Sequence, residues 1–479
     1  MSEFHLPWLE IAILIPLIGS AWVARVQISR AASNWSLLFS GLSLAAALGA
    51  WLDFTQMHDS PAHVFEAIDH WHFATRILGF ELFKIDHLSA PLLPLVSLLY
   101  FLTILATLRT KIQRFSFLGC LVSQALTLAT FSCKEPWGVV ALLSVGTVLP
   151  YLELRARQKS TRLYVLHMGL FVLLLVVGWA LVEYDGRDRV HSLWALLPLL
   201  GAVLIRSGMA PFHCWVTDLF EKASFGSALL FVAPIAGAYA MIRLVIPICP
   251  DWVLRSIGLV SIVTAVYAAG MSLIQKDARR FFSYLFISHS ALVLAGLEMV
   301  TPTGLTGALY LWLSIGLSLV GFGLTLRALE ARRGRLSLAE FQGLYEHTPA
   351  LAICFILTGL ASVGFPGTLG FVGTELLVDG VVETYPYIGV AVVVASALNG
   401  IAMVQAYFIL FTGTRYASSV SLQIGLRERL AVLALTALVL IGGLYPNPGI
   451  ASRYQAAEEL LQHREAGLSE KPPGDPPGH

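Results

Sequence analysis

The chain has 479 residues, is 57% hydrophobic and only 13% charged, with a mean hydropathy of +0.74. Soluble domains carry roughly 25% charged residues, and a soluble fold would have nowhere to put this much apolar surface. A net charge of +1 gives no electrostatic support to a nucleic-acid partner.

The first apolar run, from Pro7 to Val23, has no basic stretch before it. It reads as a retained spanning helix rather than a signal peptide. Thirteen further segments are centred near Leu44, Leu98, Leu121, Leu142, Leu173, Leu199, Pro234, Val263, Leu292, Leu313, Leu357, Val393 and Leu435. At about 20 apolar residues per span, the expectation is an all-α polytopic membrane protein of about fourteen helices. Residues 1–464 form one transmembrane domain. Tyr454–Arg464 reads as a surface helix, and the Pro- and Gly-rich stretch 465–479 as a disordered tail.

Basic residues fall in every second connection: Arg25 and Arg30; Arg109, Lys111 and Arg114; Arg155–Arg162; Lys222; Lys276, Arg279 and Arg280; Arg327–Arg335; Arg415–Arg429. The opposite connections hold Asp53, His58, Asp59, Glu66, Asp185 and Asp188. The positive-inside rule then places both termini on the non-cytoplasmic side of the cell's inner membrane. The segment Phe54–Lys84 contains His58, His63, His70 and His72. Their spacing fits no standard metal pattern, so it reads as a solvated loop with a short amphipathic helix. The five cysteines form no CxxC pair, and neither a metal nor a cofactor is expected.

Two apolar segments carry helix breakers at corresponding places. One reads Arg206-Ser-Gly-Met-Ala-Pro211-Phe212-His213, the other Gly364-Phe-Pro366-Gly367-Thr-Leu-Gly370. Backbone groups left unpaired in lipid cost several kcal/mol, so such breaks survive only inside protein or beside a wet cavity. A matched pair is the sequence mark of inverted repeats in a transporter. The repeats are expected at roughly 114–247 and 252–412.

Ionisable groups inside a membrane are functional candidates. Here they are Arg206; His213, followed by Asp218, Glu221 and Lys222; His167; His289, about a turn and a half inside the cytoplasmic end of its helix; Glu153; and Glu375 with Asp379 after the second break. Arginine stays charged at any working pH, whereas histidine exchanges protons near neutrality. Together they suit a proton route, or equally a polar seam between bundles. The phosphate-loop, GxSxG and HExxH signatures are all missing from the sequence, so no catalysis is expected in this chain.

At these residues the chain resembles the proton-conducting antiporter-like subunits of respiratory complex I, membrane-bound hydrogenases and Mrp-type sodium/proton antiporters. The resemblance lies in "FKIDHLSAPLL" at 83–93, "MAPFHCWVTDLFEKASFGSALL" at 209–230 and "AVYAAGMSLIQKDARRFFSYLFISHSALVLAGL" at 265–297. It continues in "RLSLAEFQGL" at 335–344 and "GFPGTLGFVGTELL" at 364–377. It covers most of the chain and implies two inverted five-helix repeats, each with one broken helix. It also implies partner subunits in a membrane complex.

The family's pattern uses a Glu on the fifth helix, a Lys on the seventh and a Lys or His on the eighth. Registering the fifth helix on Leu149-Pro150 places Val145 at the Glu position, and Arg206 replaces the Lys. Phe231, Pro234 and Ile235 occupy the eighth-helix position, while Asn399 and Gln405 are what the thirteenth helix offers. His289 matches the family's tenth-helix His.

Three readings stay open. The first is a proton-translocating subunit whose proton movement is coupled to chemistry in a partner. Its relay would use His289 and His213, with Arg206 as a fixed charge and Glu153 as the cytoplasmic-side acid. The second is a membrane subunit of an inorganic-carbon uptake system, paired with a carbonic-anhydrase-like zinc protein. The third is a non-conducting scaffold.

Overall fold

The computed structural model describes residues 2–58, 66–69, 71, 81–108, 115–186, 191–382, 385–413 and 425–469. The loop histidines His63, His70 and His72 lie outside these residues, as do Arg109, Lys111, Arg114, Asp188 and Arg415. Among the described residues no cluster of three metal-ligating side chains exists.

The architecture is a helical bundle. It opens with α1 (Trp8–Arg25), α2 (Ser29–His58), α3 (Leu92–Leu105), α4 (Phe117–Phe131), α5 (Pro136–Gly146), α6 (Val148–Ala156) and α7 (Arg162–Asp185). Then come α8 (Leu193–Ser207), α9 (Cys214–Lys222), α10 (Phe225–Val232), α11 (Ala236–Ala240) and a π-helical turn, Met241–Val245. The second half is α12 (Asp251–Leu273), α13 (Ala278–Glu298), α14 (Pro302–Arg333), α15 (Pro349–Val363), α16 (Leu369–Val382), α17 (Pro386–Phe411), α18 (Leu426–Leu444) and α19 (Asn447–Ser469).

Among the described residues nine helical stretches are long and apolar enough to cross a membrane, counting α5 with α6, and α10 through the π-helical turn, as one each, or ten when α18 and α19, bent by 80°, count as one span. Fourteen were expected. Four expected segments correspond to shorter apolar helices, α3, α4, α8 and α15. Two of these, α8 and α15, are short because the helix breaks end them. Helix α19 runs on to Ser469, and the rest of the expected tail, 470–479, lies outside the described residues.

A three-stranded sheet joins Ser2–Glu3 (β1), Ala67–Ile68 (β2) and Lys84–Ile85 (β3), parallel and then antiparallel. Beside it Asp69 accepts from the Leu9 and Glu10 amides, at 3.1 and 2.5 Å. These are orphan donors of the first turn of α1.

The core is centred on α13 and α14. Every α13 residue from Phe281 to Glu298 is buried, including the polar Ser283, Ser288, His289, Ser290 and Glu298. Helix α14 meets α16 through backbone-to-backbone contact. A Cβ on Gly307 would fall 2.4 Å from the Leu377 amide, and one on Gly380 would fall 2.2 Å from the Gly304 amide. Without a hydrophobic drive between helices in lipid, close approach of this kind supplies the packing energy.

Candidate functional site: two capped helix breaks joined by one buried helix

The two breaks have the same backbone cap. Helix α8 ends on Gly208 at φ 69°, and α15 ends on Gly364 at φ 89°. Gly208 N donates to Ile205 O and Met209 N to Leu204 O; Gly364 N donates to Ala361 O and Phe365 N to Leu360 O. This is the Schellman arrangement, which satisfies two terminal carbonyls and needs a residue tolerant of the left-handed region. The caps place Arg206 and Ser362 in equivalent positions, each two residues before its glycine.

Arg206 is 6% exposed. Its Nη2 donates to the Phe231 carbonyl at 3.2 Å, and its guanidinium lies over the Phe231 ring at 4.1 Å. Its Nε has no partner, and among the described residues it forms no ion pair. The carbonyl it meets belongs to a third break that the sequence reading treated as an intact helix. Pro234 has no amide to donate, and Ile235 sits at φ 49°, so α10 and α11 are separate helices. Trp312 Nε1 caps the Pro234 carbonyl at 3.0 Å. Side chains from elsewhere therefore take up the acceptors that the proline leaves unpaired.

A small cavity of about 40 Å³ adjoins Arg206. Ser123, Thr127 and Thr130 of α4 line it, with Leu142, Leu143, Gly146 and Leu149 of α5 and α6. Val145, which the family register places at the Glu position, is 50% exposed and does not line this cavity, and none of the lining residues is acidic.

The small cavity shares Ser123, Leu149 and Phe231 with a larger one of about 700 Å³, which Glu153, Arg157 and Lys159 also line. Glu153 Oε1 accepts from Arg157 Nε and from Ser224 N, both at 2.9 Å. It ties the end of α6 to the start of α10.

His289 lies eleven residues into α13, about 16 Å at 1.5 Å per residue, which is deeper than expected. The helix begins directly after the Asp277 cap, which accepts from the Arg279 and Arg280 amides, so these arginines are helical rather than loop residues. Both ring nitrogens face carbonyls: Nδ1 lies 2.7 Å from Leu285 O and Nε2 2.7 Å from Ser362 O. Ser362 is the position equivalent to Arg206. The same helix borders the first break, since a Cβ on Gly208 would lie 3.9 Å from Ile287. One turn of α13 thus touches both breaks. Beside it, Asn399 Nδ2 donates to Ser288 Oγ at 2.8 Å.

The other expected site residues are dispersed. His213 packs against the rings of Tyr267 and Tyr284, at 5.4 and 5.8 Å, and its Nδ1 is unpartnered. His167 Nδ1 lies 2.9 Å from Leu163 O on its own helix. Asp218 pairs with Lys222 at 2.6 Å. Glu375 and Asp379 point outward from α16, one turn apart. Pro366 and Gly367 lie in the second break and Pro211 in the first.

The sequence reading missed a charged clamp. Asp86 receives Arg243 Nη1 and Nη2 at 2.6 and 2.9 Å and Lys134 Nζ at 3.0 Å. Lys134 also donates to Glu66 at 2.5 Å. Burial works against the Asp86 charge, but Arg243 and Lys134 hold its carboxyl well below the usual range. The π-helical turn carries Arg243, a distortion frequent at functional sites. Arg453 of α19 docks beside the clamp, donating to the Leu88 and His87 carbonyls.

The described residues thus form a polytopic helical bundle with two identically capped helix breaks. The family model described as NADH:quinone oxidoreductase/Mrp antiporter, transmembrane, matches residues 163–399. The chain is similar to this family over that stretch.

It is 28% identical over 326 residues to NADH-quinone oxidoreductase subunit M of Mycobacterium tuberculosis, a match covering 62% of this chain and 59% of that relative. The chain therefore spans less than two thirds of that protein's length. It is 25% identical to NADH-quinone oxidoreductase subunit M of Pseudomonas aeruginosa, over 97% of this chain and 99% of the relative. Its fold matches a chain of respiratory complex I from Thermus thermophilus with a TM-score of 0.82 at 21% identity, covering 95% of this chain and 99% of that one.

Proposed function

We propose that the chain is a proton-translocating subunit of a larger energy-coupling complex in the cell's inner membrane, with both termini on the non-cytoplasmic side. The two matched caps support reading 114–247 and 252–412 as inverted repeats. The names of the relatives point to quinone-linked oxidoreductases and not to inorganic-carbon uptake.

One observation carries the reading: His289 sits fully buried with both nitrogens on carbonyls, one of them at the end of the broken helix α15. A neutral imidazole has one N–H to donate, and a protonated one has two. A proton arriving at His289 therefore completes the hydrogen bond to Ser362 O or to Leu285 O, and its departure releases that bond. Proton occupancy is thereby linked to the cap of the second break. Arg206, with no carboxylate paired to it among the described residues, is the fixed charge that sets the field along the route. Glu153, which lines the larger cavity, is the acid on the cytoplasmic side, and His213 and His167 are further relay groups. Glu375 and Asp379 present an outward acidic face to neighbouring subunits.

The test is proton uptake by inverted membrane vesicles carrying His289→Leu. Uptake should fall about a hundredfold, the scale of a lost proton-transfer group, with the protein still in the membrane at normal abundance. Unchanged uptake would favour the scaffold reading.

A further inference from the structure

We propose that Glu298 holds a proton as a neutral carboxylic acid and releases it to the non-cytoplasmic side, as the last group of a polar ladder along α12. This rests on the proposed proton translocation and adds a residue to it.

Glu298 is the last residue of α13 and is 0% exposed. Its Oε2 accepts from Ser261 Oγ at 2.9 Å, while Oε1 has no partner. Among the described residues it forms no ion pair. A buried carboxylate without a cation costs several kcal/mol. The C-terminus of a helix is also its negative end, which opposes a second negative charge. One hydroxyl donor does not offset both penalties, whereas a neutral acid avoids them. Gly258 on α12 lets the carboxyl helix end come this close, because a Cβ there would fall 3.5 Å from Glu298 Cβ and 2.3 Å from Met299 Cε.

Ser261 begins a line of polar groups. Ser261, Thr264 and Tyr267 follow at three-residue spacing, which places them on one helix face. Ser261 and Thr264 are buried. Thr264 Oγ1 accepts from the Ala210 amide, inside the first break, at 3.2 Å. The Tyr267 ring packs on His213 at 5.4 Å. From His213 the ladder runs past the break to Ser261 and Glu298, and it does not pass through Arg206. When the proton leaves Glu298, the carboxylate keeps the hydrogen bond from Ser261. A proton arriving along the ladder moves by exchange: each hydroxyl accepts one proton and gives up its own, so the Thr264 O–H leaves the Val260 carbonyl that holds it and Ser261 passes its hydroxyl proton to Glu298 Oε2, restoring the acid.

The experiment is carbodiimide labelling of the intact complex in its membrane, mapped by peptide mass spectrometry, beside proton uptake by the same vesicles. Carbodiimides add to protonated carboxyls in apolar surroundings. Wild type should carry the adduct on Glu298. Glu298→Gln, which keeps the shape and the Ser261 contact, should lose both the adduct and about tenfold or more of the uptake. Glu298→Asp should retain part of each.

A Glu298 free of adduct while other membrane carboxyls react would overturn the proposal, and so would wild-type uptake by Glu298→Gln. If His289→Leu abolishes uptake and Glu298→Gln does not, this inference fails and the proposed function stands. If neither variant changes uptake, both fail.

Discussion

The two helix breaks share a backbone and differ in chemistry. Each ends on a left-handed glycine with the same two capping hydrogen bonds. The residue two places before that glycine is Arg206 in one half and Ser362 in the other. In the first half the positive charge is built into the broken helix and cannot leave. In the second half the broken helix offers a bare carbonyl, and the ionisable group, His289, comes from the neighbouring helix. The first arrangement holds a field in place, and the second can gain and lose a proton. A shared fold thus gives two unlike stations, joined by α13.

The strongest way to break this comparison is to make the halves alike. Ser362→Arg would bury a second guanidinium, with no carboxylate provided for it. Leaving a buried charge unpaired costs about 3–5 kcal/mol, so the variant should lose most of its folded yield in detergent. A normal melting temperature would show that the second break accepts charge as readily as the first.

A carboxylate added near Arg206 should sharpen the comparison. Leu142→Glu faces the cavity beside the guanidinium and should be tolerated as a paired ion. Val145→Glu faces outward and should cost about 2.5–3.5 kcal/mol, the penalty scale for an acid inside a membrane. Thermal melting of the two variants checks the order, and the reverse order would show that position 145, and not 142, is the one poised for a carboxylate partner of Arg206.

The caps give the smallest effects. Gly208→Ala and Gly364→Ala should each cost about 1–2 kcal/mol for the left-handed backbone. Gly208→Ala should cost more, because the new Cβ would sit 2.8 Å from Val216 Cγ2. At Gly364 its nearest neighbour is Thr374 Oγ1 at 3.1 Å. Equal melting temperatures would remove that distinction.

Much of this was legible in the sequence because it is local. The breaks announce themselves as Pro and Gly clusters inside apolar runs, and Arg206 and His289 as ionisable groups where lipid forbids them. What was missed is mostly long-range or a matter of phase. Asp86 and Arg243 are 157 positions apart, and nothing in either neighbourhood names the other. Val145 and the residues that line the cavity beside Arg206 differ by a fraction of a turn, which the sequence alone does not resolve. His289 was placed too shallow because Arg279 and Arg280 were read as loop, although the Asp277 cap starts the helix before them. Glu298 ends an apolar segment and was not among the candidate groups, and its partner Ser261 comes from α12, far away in sequence. The break at Pro234 did have a signal, a proline in the middle of an apolar run.

The central claim is that protons move through this chain under a field set by a fixed, unpaired Arg206. The most direct measurement is potential-driven proton flux into liposomes holding the purified complex, with wild type beside Arg206→Ala. The account predicts flux in wild type and a near-background signal in the variant, with both complexes intact. Equal flux from the two would contradict it.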